Sequence, residues 1–88
     1  MDRFVWDEAK NADNIRERGF GFEIVYLLDW STVAIEEDKR FDYGEARYFV
    51  VGRVDDRPYY VVIVPRDGTI RVLSARRMHE KEARRYGI

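Results

Sequence analysis

Two turn signals ten positions apart constrain this chain more than anything else in it: Asp55-Asp56-Arg57-Pro58 and Pro65-Arg66-Asp67-Gly68. Both are made of residues that preset or tolerate the dihedrals of a tight turn. They are flanked by Arg47 to Val54, Tyr59 to Val64 and Thr69 to Ala75, runs rich in aromatic and β-branched residues. Short strands joined by tight turns pair as antiparallel hairpins, so this half of the chain reads as a meander. A strand-like run from Ser31 to Ile35, followed by a polar loop from Glu36 to Glu45, brings the expected antiparallel sheet to about four strands.

The last strand carries charge. In Ile70-Arg71-Val72-Leu73-Ser74-Ala75-Arg76-Arg77, simple alternation sends Ile70, Val72 and Ser74 one way and Arg71, Leu73 and Ala75 the other. Met78 to Tyr86 has helix-forming composition, which sets Arg76 and Arg77 at a strand-to-helix junction. Side chains and free backbone N–H groups meet at such junctions and suit an anion such as phosphate. Ordinary solvated or salt-bridged arginines are the plainer reading of the same pair.

Ahead of the meander, Arg3 to Trp6 reads as a short edge strand. Asp7 is a natural N-cap for a helix running to Arg18, and Gly19 stops it. Ala9, Ala12 and Ile15 supply its thin apolar stripe. Lys10, Asn11, Asn14 and Arg18 fall on the expected outer face, with Lys10 and Asn14, four apart, able to reach a ligand together. The spacing of Phe20, Ile24, Leu27 and Leu28 predicts a second helix within Phe20 to Trp30, although periodicity leaves a strand open for so short a run. The expected fold is therefore α+β in two layers, a meander sheet with two N-terminal helices and one C-terminal helix, forming a single domain over residues 1–88. One sheet face is left partly open, and Arg47, Arg53, Arg66, Arg71, Arg76 and Arg77 all lie on or beside the last three strands.

Composition removes several classes of chemistry. The chain has no cysteine and a single histidine, His79, which excludes a disulfide framework, a thiolate metal site and a multi-histidine site. Carboxylates are scattered over loops, so neither a metal nor a cofactor is expected. No apolar run reaches signal-peptide or membrane-span length, and a cytoplasmic location is expected without membrane contact. The net charge of −1 hides an uneven distribution. Residues 1–45 carry six Lys/Arg against twelve Asp/Glu, whereas residues 66–88 carry seven against three. A local phosphate-binding patch is possible on a chain that is not basic as a whole.

An ordered set of motifs resembles the BrnT-type toxins of bacterial type II toxin-antitoxin systems. It comprises Phe4-Val5-Trp6-Asp7 with Lys10, Asn14 and Gly19; Phe22-Glu23; Gly44-Glu45-Ala46-Arg47 with Gly52; Ile70 to Arg77; and Glu82 with Tyr86. The resemblance covers nearly the whole chain. Two positions depart from the family's habit: Arg18 stands where histidine is frequent, and Val64-Pro65 where the strand often ends in threonine. The resemblance implies a RelE-like ribonuclease toxin, an endoribonuclease neutralised by a cognate antitoxin. That antitoxin is expected to be of ribbon-helix-helix type, with promoter DNA bound only through the toxin-antitoxin complex. The other reading is a partner-binding module that keeps the fold without catalysis.

Cleaving RNA by transesterification requires removal of the 2′-hydroxyl proton, stabilisation of a pentacoordinate phosphorane and protonation of the leaving 5′-oxygen. With one histidine, two-histidine catalysis is excluded, and arginine-dominated catalysis remains. Arg66 and Arg76 are the leading phosphate ligands, followed by Arg77 and Arg47. Lys10, Asn14, Arg53, Tyr60 and His79 are candidates for RNA binding, and Lys10, Tyr48, Tyr60, Tyr86 and His79 for proton transfer. Tyr43, Tyr48, Phe49, Tyr59 and Tyr60 can stack unpaired bases, with core packing the competing fate. Direct DNA binding by residues 75–86 lacks a preceding helix-turn-helix spacing.

Overall fold

A computed structural model describes residues 3–88. In order these are strand β1 (Arg3–Trp6), helix α1 (Glu8–Arg18), a 3-10 segment (Phe22–Tyr26), strands β2 (Ala34–Glu37), β3 (Tyr48–Val54), β4 (Arg57–Arg66) and β5 (Thr69–Arg77), and helix α2 (Glu80–Arg85). The α+β expectation holds, with three corrections. The sheet has five strands in the order β1-β5-β4-β3-β2, and it is mixed because β1 lies parallel to β5. The second N-terminal helix is a five-residue 3-10 segment. The strand expected at Ser31–Ile35 begins later, at Ala34.

Both hairpins are tighter than their sequence signals require. Asp55 and Asp56 have φ of 48° and 68°, and Asp67 and Gly68 have 49° and 80°, so two central residues with positive φ close each loop. That conformation matches the right-handed twist of the strands it joins, and Asp and Gly tolerate it best. The N-terminal helix is capped as expected. The Asp7 carboxylate accepts from the Lys10 N–H at 3.1 Å, and Gly19 sits in the left-handed region (φ 85°) with its N–H on the Ile15 carbonyl.

The face α1 buries is not the expected one. Ala9, Ala12 and Ile15 face solvent, Ile15 with 49% of its surface exposed, whereas Asn14 is buried. The inner side is polar and is spent on backbone groups. Asn14 Nδ2 donates to the Phe20 carbonyl (2.9 Å), Asn11 Oδ1 accepts from the Phe22 N–H (2.7 Å), and Arg18 Nη1 donates to the Ala75 carbonyl (2.7 Å). Three alanine-sized or single aliphatic contacts offer little burial energy. Satisfying the Phe20 carbonyl ahead of the 3-10 segment, the Phe22 N–H that begins it and the Ala75 carbonyl of β5 outweighs it, since a buried backbone group left unpaired costs about 1–3 kcal/mol.

The sheet separates two unlike faces. On the covered face Phe22, Val25, Val50, Val61 and Val72 are 1% exposed or less, with Leu28, Tyr59, Ile63 and Ala75 around them. Gly52 belongs here because a Cβ would meet Val33 Cγ1 at 2.7 Å and Leu28 Cδ2 at 3.3 Å. On the other face α2 covers only one end, through Met78, Ala83 and Tyr86 against Val51, Phe49 and Tyr60. The remainder is open.

Register decides which arginines reach that open face. Val62 pairs with Ser74 but Ile63 pairs with Val72, so Leu73 is an extra residue on β5, a β-bulge. Before it, Ile70 and Val72 face the core; after it, Ala75 does. Uninterrupted alternation would have put Arg77 beside Arg71 and turned Arg76 away. The bulge reverses this: Arg76 pairs with Tyr60 on the open face, and Arg77 pairs with Tyr59, whose ring lies in the core against Phe20.

Candidate functional site

The open face holds a concavity of about 680 Å³ lined by Lys10, Asp38, Arg40, Tyr43, Glu45, Arg47, Val62, Arg66, Arg71, Leu73 and Ser74. Its floor is β4 and β5. One wall is the loop between β2 and β3, and Lys10 reaches it from the first turns of α1. Five basic side chains meet two carboxylates there.

The two carboxylates have different work. Asp38 is buried, and its side chain accepts from Arg40 Nε (2.9 Å), Arg40 Nη2 (2.8 Å), the Arg40 N–H (3.1 Å) and the Tyr43 hydroxyl (3.0 Å). Those donors, Arg40 first, hold its carboxyl far below the usual range and raise the Arg40 guanidinium correspondingly. The Asp38 N–H also bonds the Arg47 carbonyl at 2.7 Å, which fastens the loop to the start of β3. Glu45 instead faces two arginines, with Oε1 accepting from Arg66 Nη2 at 2.6 Å and Oε2 3.9 Å from Arg47 Nε.

Arg47 is held by a different force. Its guanidinium lies over the Tyr43 ring at 4.0 Å, a cation–π contact, and its Nε is buried with no hydrogen-bond partner. Among the described residues Lys10 and Arg71 have no ion-pair partner. The concavity therefore contains one buried donor without an acceptor and two cations without a counter-ion. Besides its arginines, the ionisable side chains that line it are Lys10, Asp38, Tyr43 and Glu45.

The sequence candidates divide as follows. Arg47, Arg66 and Lys10 come together in the concavity. Arg76 lies beside it on the same face, over the Tyr60 ring at 4.4 Å and bidentate to Glu82 of α2 (3.0 and 3.3 Å). That pairing raises the Arg76 guanidinium and lowers the Glu82 carboxyl, while burial pushes the Tyr60 phenol up. Arg77 points to the other side of the sheet, so the adjacent pair does not act as a pair. Arg53 is bound to Glu80 (2.5 and 3.2 Å), to the Asp56 carbonyl (2.8 Å) and to the Ile88 carbonyl (3.0 Å), which fastens α2 and the chain end to β3. Asn14 is committed under α1. His79 is the residue before α2, makes no side-chain cap, and lines a separate shallow hollow with Lys81, Glu82 and Arg85. Tyr48 packs against the core, and Tyr86 meets Phe49 edge-on under α2.

Sequence reading missed Arg40 and Asp38 and gave Glu45 no chemical part. A signal existed in Asp38-Lys39-Arg40: an Asp two residues before an Arg can hold both that residue's N–H and its side chain. It was lost in a stretch read only as a polar loop.

A family model described as ribonuclease toxin, BrnT, of type II toxin-antitoxin system matches residues 6–82. The chain belongs to that family. The matched span includes every residue that lines the concavity. No curated protein matches the chain. Membership of the BrnT family makes the chain a type II ribonuclease toxin by family and implies an antitoxin as its partner. Among the described residues of this BrnT-family chain, no helix is long and apolar enough to cross a membrane, and no three His, Cys, Asp or Glu lie close enough to hold a metal ion.

Proposed function

We propose that the chain is a cytoplasmic endoribonuclease that holds an RNA phosphodiester in the concavity of the open face and cleaves it by transesterification without a metal. The observation that carries this reading is the excess of cations, five basic side chains against two carboxylates, in a concave, solvent-reachable site. Among the described residues Lys10 and Arg71 have no counter-ion and the buried Arg47 Nε has no acceptor. A phosphate oxygen that takes the place of Glu45 Oε2, 3.9 Å from that nitrogen, satisfies the donor, whose isolation otherwise costs about 1–3 kcal/mol. Guanidinium groups are always charged and hold phosphate through two parallel hydrogen bonds. Charge growing on the phosphorane meets donors already in place, each worth on the order of 2.7–4 kcal/mol when pre-organised.

Arg47, Arg66 and Arg71 are the phosphate ligands in this reading, with Lys10 beside them. Arg76, engaged by Glu82, orders the edge of the site. Glu45 holds Arg66 and Arg47 in the RNA-free state and exchanges its place with the phosphate. The cognate antitoxin, a ribbon-helix-helix protein in this reading, neutralises the toxin by covering the same face, and the complex binds promoter DNA through the antitoxin.

Expressed without a partner, the chain should stop growth and degrade cellular RNA, and Arg47→Ala or Arg71→Ala should relieve the arrest. Normal growth with intact RNA at high expression contradicts the proposal. Two observations favour a second reading, a partner-binding module without catalysis: the concavity contains no histidine, and Glu45 already engages two of its arginines. That reading predicts tight capture of an antitoxin by a chain that leaves RNA intact when purified free of it.

A further inference from the structure

Charge does not account for the rim of the concavity. Phe41, in the loop between β2 and β3, is 69% exposed, more than any other large apolar side chain among the described residues. It lies beside the cationic site. Phe41 lines a second hollow that shares Asp38, Arg40, Tyr43 and Glu45 with the concavity.

The loop that presents Phe41 is fastened on both sides. Asp38 holds Arg40 and Tyr43, the Asp38 N–H holds the Arg47 carbonyl, and the Gly44 N–H donates to Asp42 Oδ1 at 3.0 Å. The Phe41 ring meets Tyr43 nearly perpendicularly at 5.9 Å, and the other partner of Tyr43 is the Arg47 guanidinium at 4.0 Å. Tyr43 thus stands between the two, in contact with the Phe41 ring on one side and with the phosphate-binding Arg47 on the other. An exposed aromatic ring on an immobilised loop is costly in water and ready-made for a flat partner.

The other aromatic residues of the sheet are occupied. Tyr59 is buried, Phe49 and Tyr60 stack on each other at 5.3 Å, and Arg76 covers Tyr60. Tyr43 already carries Arg47.

We propose that Phe41 is the platform on which an unpaired base of the RNA stacks, next to the phosphate held by the arginines, and that it selects single-stranded over duplex RNA. Bases inside a duplex are already stacked on their neighbours and cannot lie on the ring. The proposal rests on the ribonuclease reading and names its substrate class.

The test uses the purified chain with one fluorescent oligoribonucleotide, presented as a single strand and annealed to its complement. Phe41→Ala should raise KM for the single strand by roughly tenfold to a hundredfold, the value of one stacked base. It should leave kcat where it is and leave duplex binding unchanged. Phe41→Trp should restore the wild-type KM, and its fluorescence should be quenched as the single strand is added. Cleavage by the wild type with no change in KM on Phe41→Ala overturns the stacking proposal and leaves the ribonuclease reading standing. So does a Phe41→Ala defect confined to antitoxin binding, which gives the ring to the protein partner. A wild-type chain that neither binds nor cleaves either RNA removes the ribonuclease reading, and the platform with it.

Discussion

The two faces of the sheet come from the same strands but are closed in different ways. Val50, Val61 and Val72 fill the covered face, and their neighbours in sequence, Val51, Val62 and Arg71, belong to the open one. The covered face is a packing problem solved with volume. The open face is covered by α2 at one end and left as a cationic hollow at the other, where an aromatic ring restrains Arg47, a glutamate restrains Arg66, and Arg71 is exposed. Stability and chemistry are therefore divided between faces, and substitutions on the two should separate cleanly.

The largest effect is expected on the covered face. Phe22→Ala removes a side chain 1% exposed and should cost about 3–5 kcal/mol, read as a large fall in denaturation midpoint with all activity lost through unfolding. Next in size, Arg71→Ala on the open face should lower RNA cleavage by about 2.7–4 kcal/mol in activation free energy. Its melting temperature should stay near that of the wild type, because the residue is exposed and has no ion-pair partner among the described residues. Equal damage to stability and cleavage from Arg71→Ala breaks the division of labour. Between the layers, Asn14→Ala strands the Phe20 carbonyl and should cost about 1–3 kcal/mol in denaturant unfolding, with activity following stability alone.

The smallest effect concerns pH. Arg76 lowers the Glu82 carboxyl below its ordinary value of 4.5, so the pair stabilises the fold fully above that value. The contribution is lost as pH falls through the lowered folded value. For a partly exposed pair it amounts to about 0–1 kcal/mol. Glu82→Gln should remove that contribution, lowering stability by about 0–1 kcal/mol between pH 6 and 8 and flattening the curve below pH 4.5, where the two proteins converge. A stability change at neutral pH beyond that size would show that Glu82 has a packing role at the α2 junction.

Local chemistry was legible in the sequence where one residue type has one best use. Asp7 and Gly19 bound α1, and the Asp-rich turns set both hairpins. The parallel pairing of β1 with β5 joins Phe4 to Ile70 across almost the entire chain, and no local pattern encodes a contact at that separation. The inner face of α1 escaped because apolar periodicity assumes that apolar groups face inward, whereas Asn11, Asn14 and Arg18 turn inward to satisfy backbone groups of other segments. The bulge at Leu73 had the same effect on the site. Alternation counted through it assigns Arg76 and Arg77 to the wrong sides, and residue type alone gives no warning of the extra residue.

The most direct test of the account measures single-stranded RNA affinity against salt concentration for the wild type, Arg71→Ala and Arg77→Ala. Each phosphate contact contributes a slope of about −0.7 in log K against log salt for single strands. The account predicts that Arg71→Ala flattens the slope by about one contact and that Arg77→Ala, on the opposite face, leaves it unchanged. Equal slopes for all three proteins, or a loss confined to Arg77→Ala, would contradict it.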